Sequence, residues 1–234
     1  MSPDFTDGLL WYIVFLYSTV CHEAAHAWTA LKLGDDTAYR GGQVTLDPLP
    51  HIRREPIGMV VVPLISFLSA GWMIGWASAP YDPGWALRNP RRCAMMSLAG
   101  PAANMVIVML AGLLLRAGVE WHLWEEPFSF APAHLAEPMA AGLYPWVVKL
   151  LSIAFSLNLL LAVFNLLPLP PLDGSNLPLL FLPEGAAQKY LAFLWNPTMR
   201  FVGLLVAWQG FRYIFDPIRR IALHVLYPDA GPAL

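Results

Sequence analysis

Residues 8–33 form an apolar stretch long enough to cross a bilayer, yet they carry His22, Glu23 and His26 in the string HEAAH. On a helix, the i, i+4 spacing sets both imidazoles on one face, one turn apart, able to hold one metal ion. Glu23 follows the first histidine directly, where it can take a proton from a water that such a metal activates. Charged groups in hydrocarbon cost about 2.5–3.5 kcal/mol each, so ionisable residues there mark function by default. The bland alternative is a pair of satisfied helix histidines facing a bundle interior.

The rest of the chain agrees with a membrane setting. Of 234 residues, 57% are hydrophobic and 13% charged, against roughly 25% charged in soluble domains. A net charge of −2 with no basic arm excludes a nucleic-acid partner. Cys21 and Cys93 are far apart and lie in or beside apolar segments, so no disulfide framework is expected. The N-terminus carries Asp4 and Asp7 and lacks a basic n-region, so the first apolar stretch is expected to stay as a span.

The expected fold is an all-α polytopic membrane protein, one domain over 1–234 with its core at 8–176 and C-terminal helices at 177–234. Four stretches suit spans: 8–33, 93–116, 146–168 and 198–216. Segments 34–56 and 78–92 hold Arg40, Arg53, Arg54, Arg88, Arg91 and Arg92, and both read as cytoplasmic. The apolar run 57–77 between them, with Pro63 and several glycines, is therefore expected to be re-entrant. Loop 117–145 has four glutamates and no Lys or Arg, and belongs outside, with Trp121, Trp124 and Trp146 in an interface belt. Both termini are then outside. The alternating GGQVTL at 41–46 allows a small membrane-edge β-hairpin able to receive an extended substrate, and reads equally as a plain cytoplasmic turn. The amphipathic tail 215–226 suits a helix lying along the membrane surface.

In this topology the third span runs inward and ends in NLLPLPPLDG at 165–174, at the depth His22 reaches on the first. Asp173 is thus a candidate third metal ligand, since two histidines and a carboxylate leave a fourth position open for water. Pro168, Pro170 and Pro171 break helical regularity and let a short carboxylate be aimed. Alone, this stretch also reads as an ordinary helix end followed by an Asp-Gly turn.

HEAAH in the first span, SLAGPAAN at 97–104 and NLLPLPPLDG at 165–174 together resemble the three signatures of the site-2 protease family of intramembrane metalloproteases. LGDDTA at 33–38, GQVTLDPLPHI at 42–52 and LRNPRR at 87–92 resemble its compact bacterial branch, which has no inserted PDZ or CBS domain. The resemblance implies Zn2+ held by His22, His26 and Asp173, with Glu23 as the catalytic base. It also implies that Asn165, and with it Asn104, holds substrate or the developing oxyanion. The implied activity is hydrolysis of a peptide bond within or near a transmembrane segment of a protein substrate, in a bacterial cell membrane, with the active site toward the cytoplasm. Two rivals are a metal or ion transporter, which internal repeats would favour, and an inactive membrane scaffold, which loss of a catalytic group would favour. The chain shows neither feature.

Overall fold

The computed structural model describes residues 5–139 and 144–228. Its helices in chain order are α1 (Phe5–Lys32), α2 (Thr37–Arg40), α3 (Pro48–Arg54), α4 (Val62–Ala70), α5 (Pro83–Arg88), α6 (Pro90–Glu120), α7 (Tyr144–Asn165), α8 (Glu184–Leu194) and α9 (Pro197–Leu226). A π-helical turn, Ile57–Val61, precedes α4, and a 3-10 helix, Asp173–Leu180, follows α7. α6 packs along both α1 and α7 and runs antiparallel to each, because His22 and His26 meet Asn104 and Met96 in reverse order. An ion pair between Asp7 and Lys149 joins the starts of α1 and α7, so these two run parallel. The second halves of α1 and α7 and the first half of α6 therefore share one end of the bundle.

By length and composition, α6 and the Pro145–Asn165 stretch of α7 are each able to cross a membrane. The pair α8–α9, bent by 75°, makes a third candidate when counted as one span. α1 has the length, 28 residues, but its ionisable site residues lower its hydropathy. The outer faces suit lipid. Met109, Leu110, Leu113 and Leu114 on α6 and Phe201, Leu205 and Trp208 on α9 are all exposed.

The run 57–77 folds back on itself. The π turn and α4 together span only Ile57–Ala70, too short to cross. Gly71 ends α4 in the left-handed region, at φ 75°, and the chain returns extended until Trp76 N donates to the Gly58 carbonyl at 3.2 Å. Glycine permits this approach, since a Cβ on Gly58 or Gly75 would stand 2.3 or 2.2 Å from a backbone oxygen of the other limb. The Ser78 hydroxyl closes the base on Glu55 at 2.6 Å. Both ends of the segment thus lie together.

Three expectations are corrected. Residues 41–46 form no strand: Gly42 turns at φ 71°, Gln43 N returns to the Ala38 carbonyl, and Asp47 caps α3 through Leu49 N at 3.0 Å. The backbone groups that a strand edge would offer are partly used in these turns and caps. Among the described residues the sheet is instead a two-residue antiparallel pair, β1 (Trp124–Glu125) and β2 (Glu137–Pro138), in the loop between α6 and α7. Trp124 is buried there, its Nε1 donating to the Leu115 carbonyl at 2.8 Å, whereas Trp121 and Trp146 are exposed. Residues 215–226 continue α9 without a break, and Leu223, Leu226 and Tyr227 bury against Val108, Leu115, Leu151 and Phe155. An apolar stripe that could face lipid faces this core.

Candidate metal centre

Helix periodicity brings His22 and His26 to one face of α1, and both are buried. Their Nε2 atoms are 3.0 Å apart. The Asp173 Oδ2 lies 3.1 Å from His22 Nε2 and 3.3 Å from His26 Nε2. Three candidate ligand atoms from residues 151 positions apart in the chain thus converge on one point. Glu23 is also buried, and its carboxylate comes within 4.8 Å of the imidazole ligand atoms. The two carboxylates differ in placement. Asp173 meets both Nε2 atoms directly, while Glu23 leaves α1 about 100° further round and stands beside them.

Each histidine is oriented from behind. His26 Nδ1 lies 2.8 Å from the Met96 carbonyl of α6, which can only accept, so Nδ1 carries a proton and Nε2 is the nitrogen turned toward Asp173. His22 Nδ1 lies 2.5 Å from Asn104 Oδ1. Gly100 forms the wall: a Cβ there would stand 2.4 Å from His26 Nε2 and 2.5 Å from His22 Nε2. The missing side chain leaves the space that two nitrogens and a carboxylate face, and this donor set suits zinc.

Asp173 opens the 3-10 helix after a proline-rich turn in which the Pro170–Pro171 peptide is cis. Gly174 lets that turn press on the end of α7, since a Cβ there would meet the Leu166 carbonyl oxygen at 2.1 Å. Asn176 Nδ2 then donates to Ser97 Oγ on α6 at 3.0 Å, tying the turn to the wall of the site. Burial alone would raise the Asp173 carboxyl, but His26 and His22 together hold it well below the usual carboxylate range. Its side chain remains 20% exposed, the most open of the three.

Asn165 ends α7, half-buried, its Nδ2 donating to the Leu161 carbonyl at 3.0 Å. Asn104 stands behind His22 and is fully buried. Its Nδ2 donates to Asn158 Oδ1 at 2.7 Å. Asn158 and Ser18 were not singled out from sequence. The usable signals were spacing: Ser18 precedes His22 by one turn, and Asn158 precedes Asn165 by two, on the same face.

Comparison with known proteins now bears on this centre. The chain is 34% identical over 178 residues to a Bacillus subtilis (strain 168) protein named "Putative zinc metalloprotease YwhC", covering 76% of this chain and 71% of that one. The chain belongs to the site-2 protease family of zinc metalloproteases. Two family members from mycobacteria carry the same description under the name Rip2. The Mycobacterium tuberculosis (strain H37Rv) protein is 32% identical over 160 residues. The Mycolicibacterium smegmatis protein is 32% identical over 162 residues. Each match covers 68% of this chain, which spans about half, 52%, of either Rip2. No family profile matches the chain, and no solved structure matches it at a significant level.

Proposed function

We propose that this protein is an intramembrane zinc endopeptidase that hydrolyses a peptide bond within or near a transmembrane segment of a membrane-protein substrate. The observation that carries it is the convergence of His22 Nε2, His26 Nε2 and Asp173 Oδ2 within 3.0–3.3 Å beside the side-chain-free wall of Gly100. These three residues would hold the zinc. When bound, zinc supplies Lewis acidity to a water and to the scissile carbonyl. Glu23 accepts the proton of the attacking water and delivers it to the leaving amine. Asn165 is the candidate donor to the carbonyl oxygen as it gains charge. Asn104 is assigned to holding His22.

The setting follows the same logic. α1, α6, α7 and the α8–α9 pair are taken as four crossings of one domain, with the Ile57–Ala70 hairpin re-entrant, both termini outside and the centre toward the cytoplasmic face of a bacterial cell membrane. The basic segments 34–56 and 78–92 and the acidic loop 117–139 support that orientation. Water would enter from the side where Asp173 is partly open. The transporter reading is not favoured: two histidines and a carboxylate that would hold the metal, with a second carboxylate beside them as proton acceptor, suit hydrolysis. Glu23→Gln is the test. It should keep one zinc per chain and lower cleavage of a single-span substrate by about 10²–10⁴-fold. A wild-type rate, with chelator controls excluding contaminating proteases, would overturn the proposal.

A further inference from the structure

Behind His22, three buried polar side chains from three helices form a chain with only one self-consistent direction. Asn158 on α7 is fully buried, and its Nδ2 donates to its own Ala154 carbonyl and to Ser18 Oγ, both at 2.8 Å. The Ala154 carbonyl can only accept, so the Asn158 amide cannot reverse without setting its oxygen against that carbonyl. Its Oδ1 therefore faces Asn104 and accepts from Asn104 Nδ2 at 2.7 Å. Asn104 Nδ2 also lies 3.4 Å from the Ser18 carbonyl, a second pure acceptor. With its NH₂ group so committed, Asn104 presents Oδ1 to His22 Nδ1 at 2.5 Å. An oxygen acceptor there requires a proton on Nδ1, so in the neutral imidazole the lone pair that a metal needs lies on Nε2, on the side of Asp173 and His26. Ser18, Asn104 and Asn158 are all buried, at 3%, 0% and 0% exposure, so bulk water offers no substitute partner.

We infer that Asn158 is a positioning residue for the metal centre: by fixing the orientation of the Asn104 amide, it selects the His22 tautomer able to bind a metal. His26 needs no such device, because its partner is the Met96 backbone carbonyl, which cannot flip. Asn104 is an amide, whose two ends differ only by oxygen and NH₂. Released from Asn158, it can turn its NH₂ toward His22, and the imidazole proton then moves to Nε2, the face a metal needs.

This inference rests on the proposed zinc site, and the experiment separates the two. Zinc content and affinity are measured by chelator competition on the purified full chain, beside the melting temperature of the metal-free protein. Asn158→Leu, similar in volume but unable to accept from Asn104, should weaken zinc binding about 10–100-fold, the usual cost of losing an outer partner of a ligand histidine. Asn158→Asp, neutral in its buried site and still able to accept from Asn104 and donate to Ala154, should stay within about threefold of wild type, well inside that outer-partner range. Combining Asn158→Leu with Asn104→Asp should recover most of the loss, because a carboxylate presents oxygen to His22 in either orientation. A merely structural role for Asn158 would lower the melting temperature in the double variant without recovery of zinc affinity, and that outcome overturns the inference. Unchanged zinc affinity in Asn158→Leu overturns it too. Should that variant fail to fold, Asn158→Ala takes its place with the same expected loss and recovery. Absence of zinc from the wild-type protein would instead remove the metal site itself, and the inference with it.

Discussion

Gly100→Ala is a one-carbon perturbation aimed at the centre of the site. The added Cβ would lie 2.4 Å from His26 Nε2, 2.5 Å from His22 Nε2 and 2.7 Å from His22 Cδ2. Ordinary contact begins near 3.4 Å, so the overlap is about 1 Å, several times the roughly 0.2 Å tolerance of a metal–ligand distance. In the metal-free protein each imidazole is held only from behind, by Asn104 or the Met96 carbonyl. A bound zinc would hold each at the second ring nitrogen as well, so the strain would fall mainly on the loaded state. Overpacking of this kind costs about 1–3 kcal/mol, which converts to roughly 5- to 150-fold weaker zinc binding at 1.36 kcal/mol per tenfold. The assay is zinc competition in detergent, with the metal-free melting curve as a fold control. Gly210→Ala on α9, where a Cβ meets nothing within 4 Å, is the matched control and should leave zinc affinity unchanged. Wild-type zinc affinity and activity in Gly100→Ala would refute the idea that this glycine keeps the metal position clear.

Two further outcomes follow from the same geometry. Asp173→Ala should weaken zinc binding and abolish cleavage while leaving membrane insertion intact, and full zinc retention with normal activity would remove Asp173 from the site. Single cysteines replacing the exposed Arg53 and Arg91, in a background lacking Cys21 and Cys93, should react with an impermeant reagent from the same side of the membrane. Labelling from opposite sides would mean that the 57–77 segment crosses.

Local periodicity and composition made much of this protein legible in one dimension. The His22–His26 face depends only on helical pitch, so any helix built on HEAAH presents two imidazoles together. Long apolar runs delimited α6 and α7, and the prolines at 168, 170 and 171 marked where α7 must end. The two ends of 57–77 lie together in the fold, joined by the Glu55–Ser78 contact.

Tertiary structure decided what faces what. Asp173 reaches His22 across 151 positions, and Asn104 across 82, because particular faces of α1, α6 and α7 meet at a given rotation and offset. Residue type does not encode that rotation. The Met96 carbonyl that orients His26 is a backbone group present at every position, so no sequence pattern could single it out. Gly100 reads in sequence as a small residue that lets helices approach, and only the assembled helices show that its absent side chain faces two imidazole nitrogens. The tail of α9 is amphipathic in either environment, and its burial against α6 and α7 rests on a core that those helices must first create. Alternation at 41–46 allowed a strand and a plain turn equally; a strand needs a partner edge, and the turns that close α2 and cap α3 use part of that backbone instead. Spacing along a helix thus determined the histidine pair, while the approach of Asp173 and the hydrogen bonds that aim the pair depend on long-range packing.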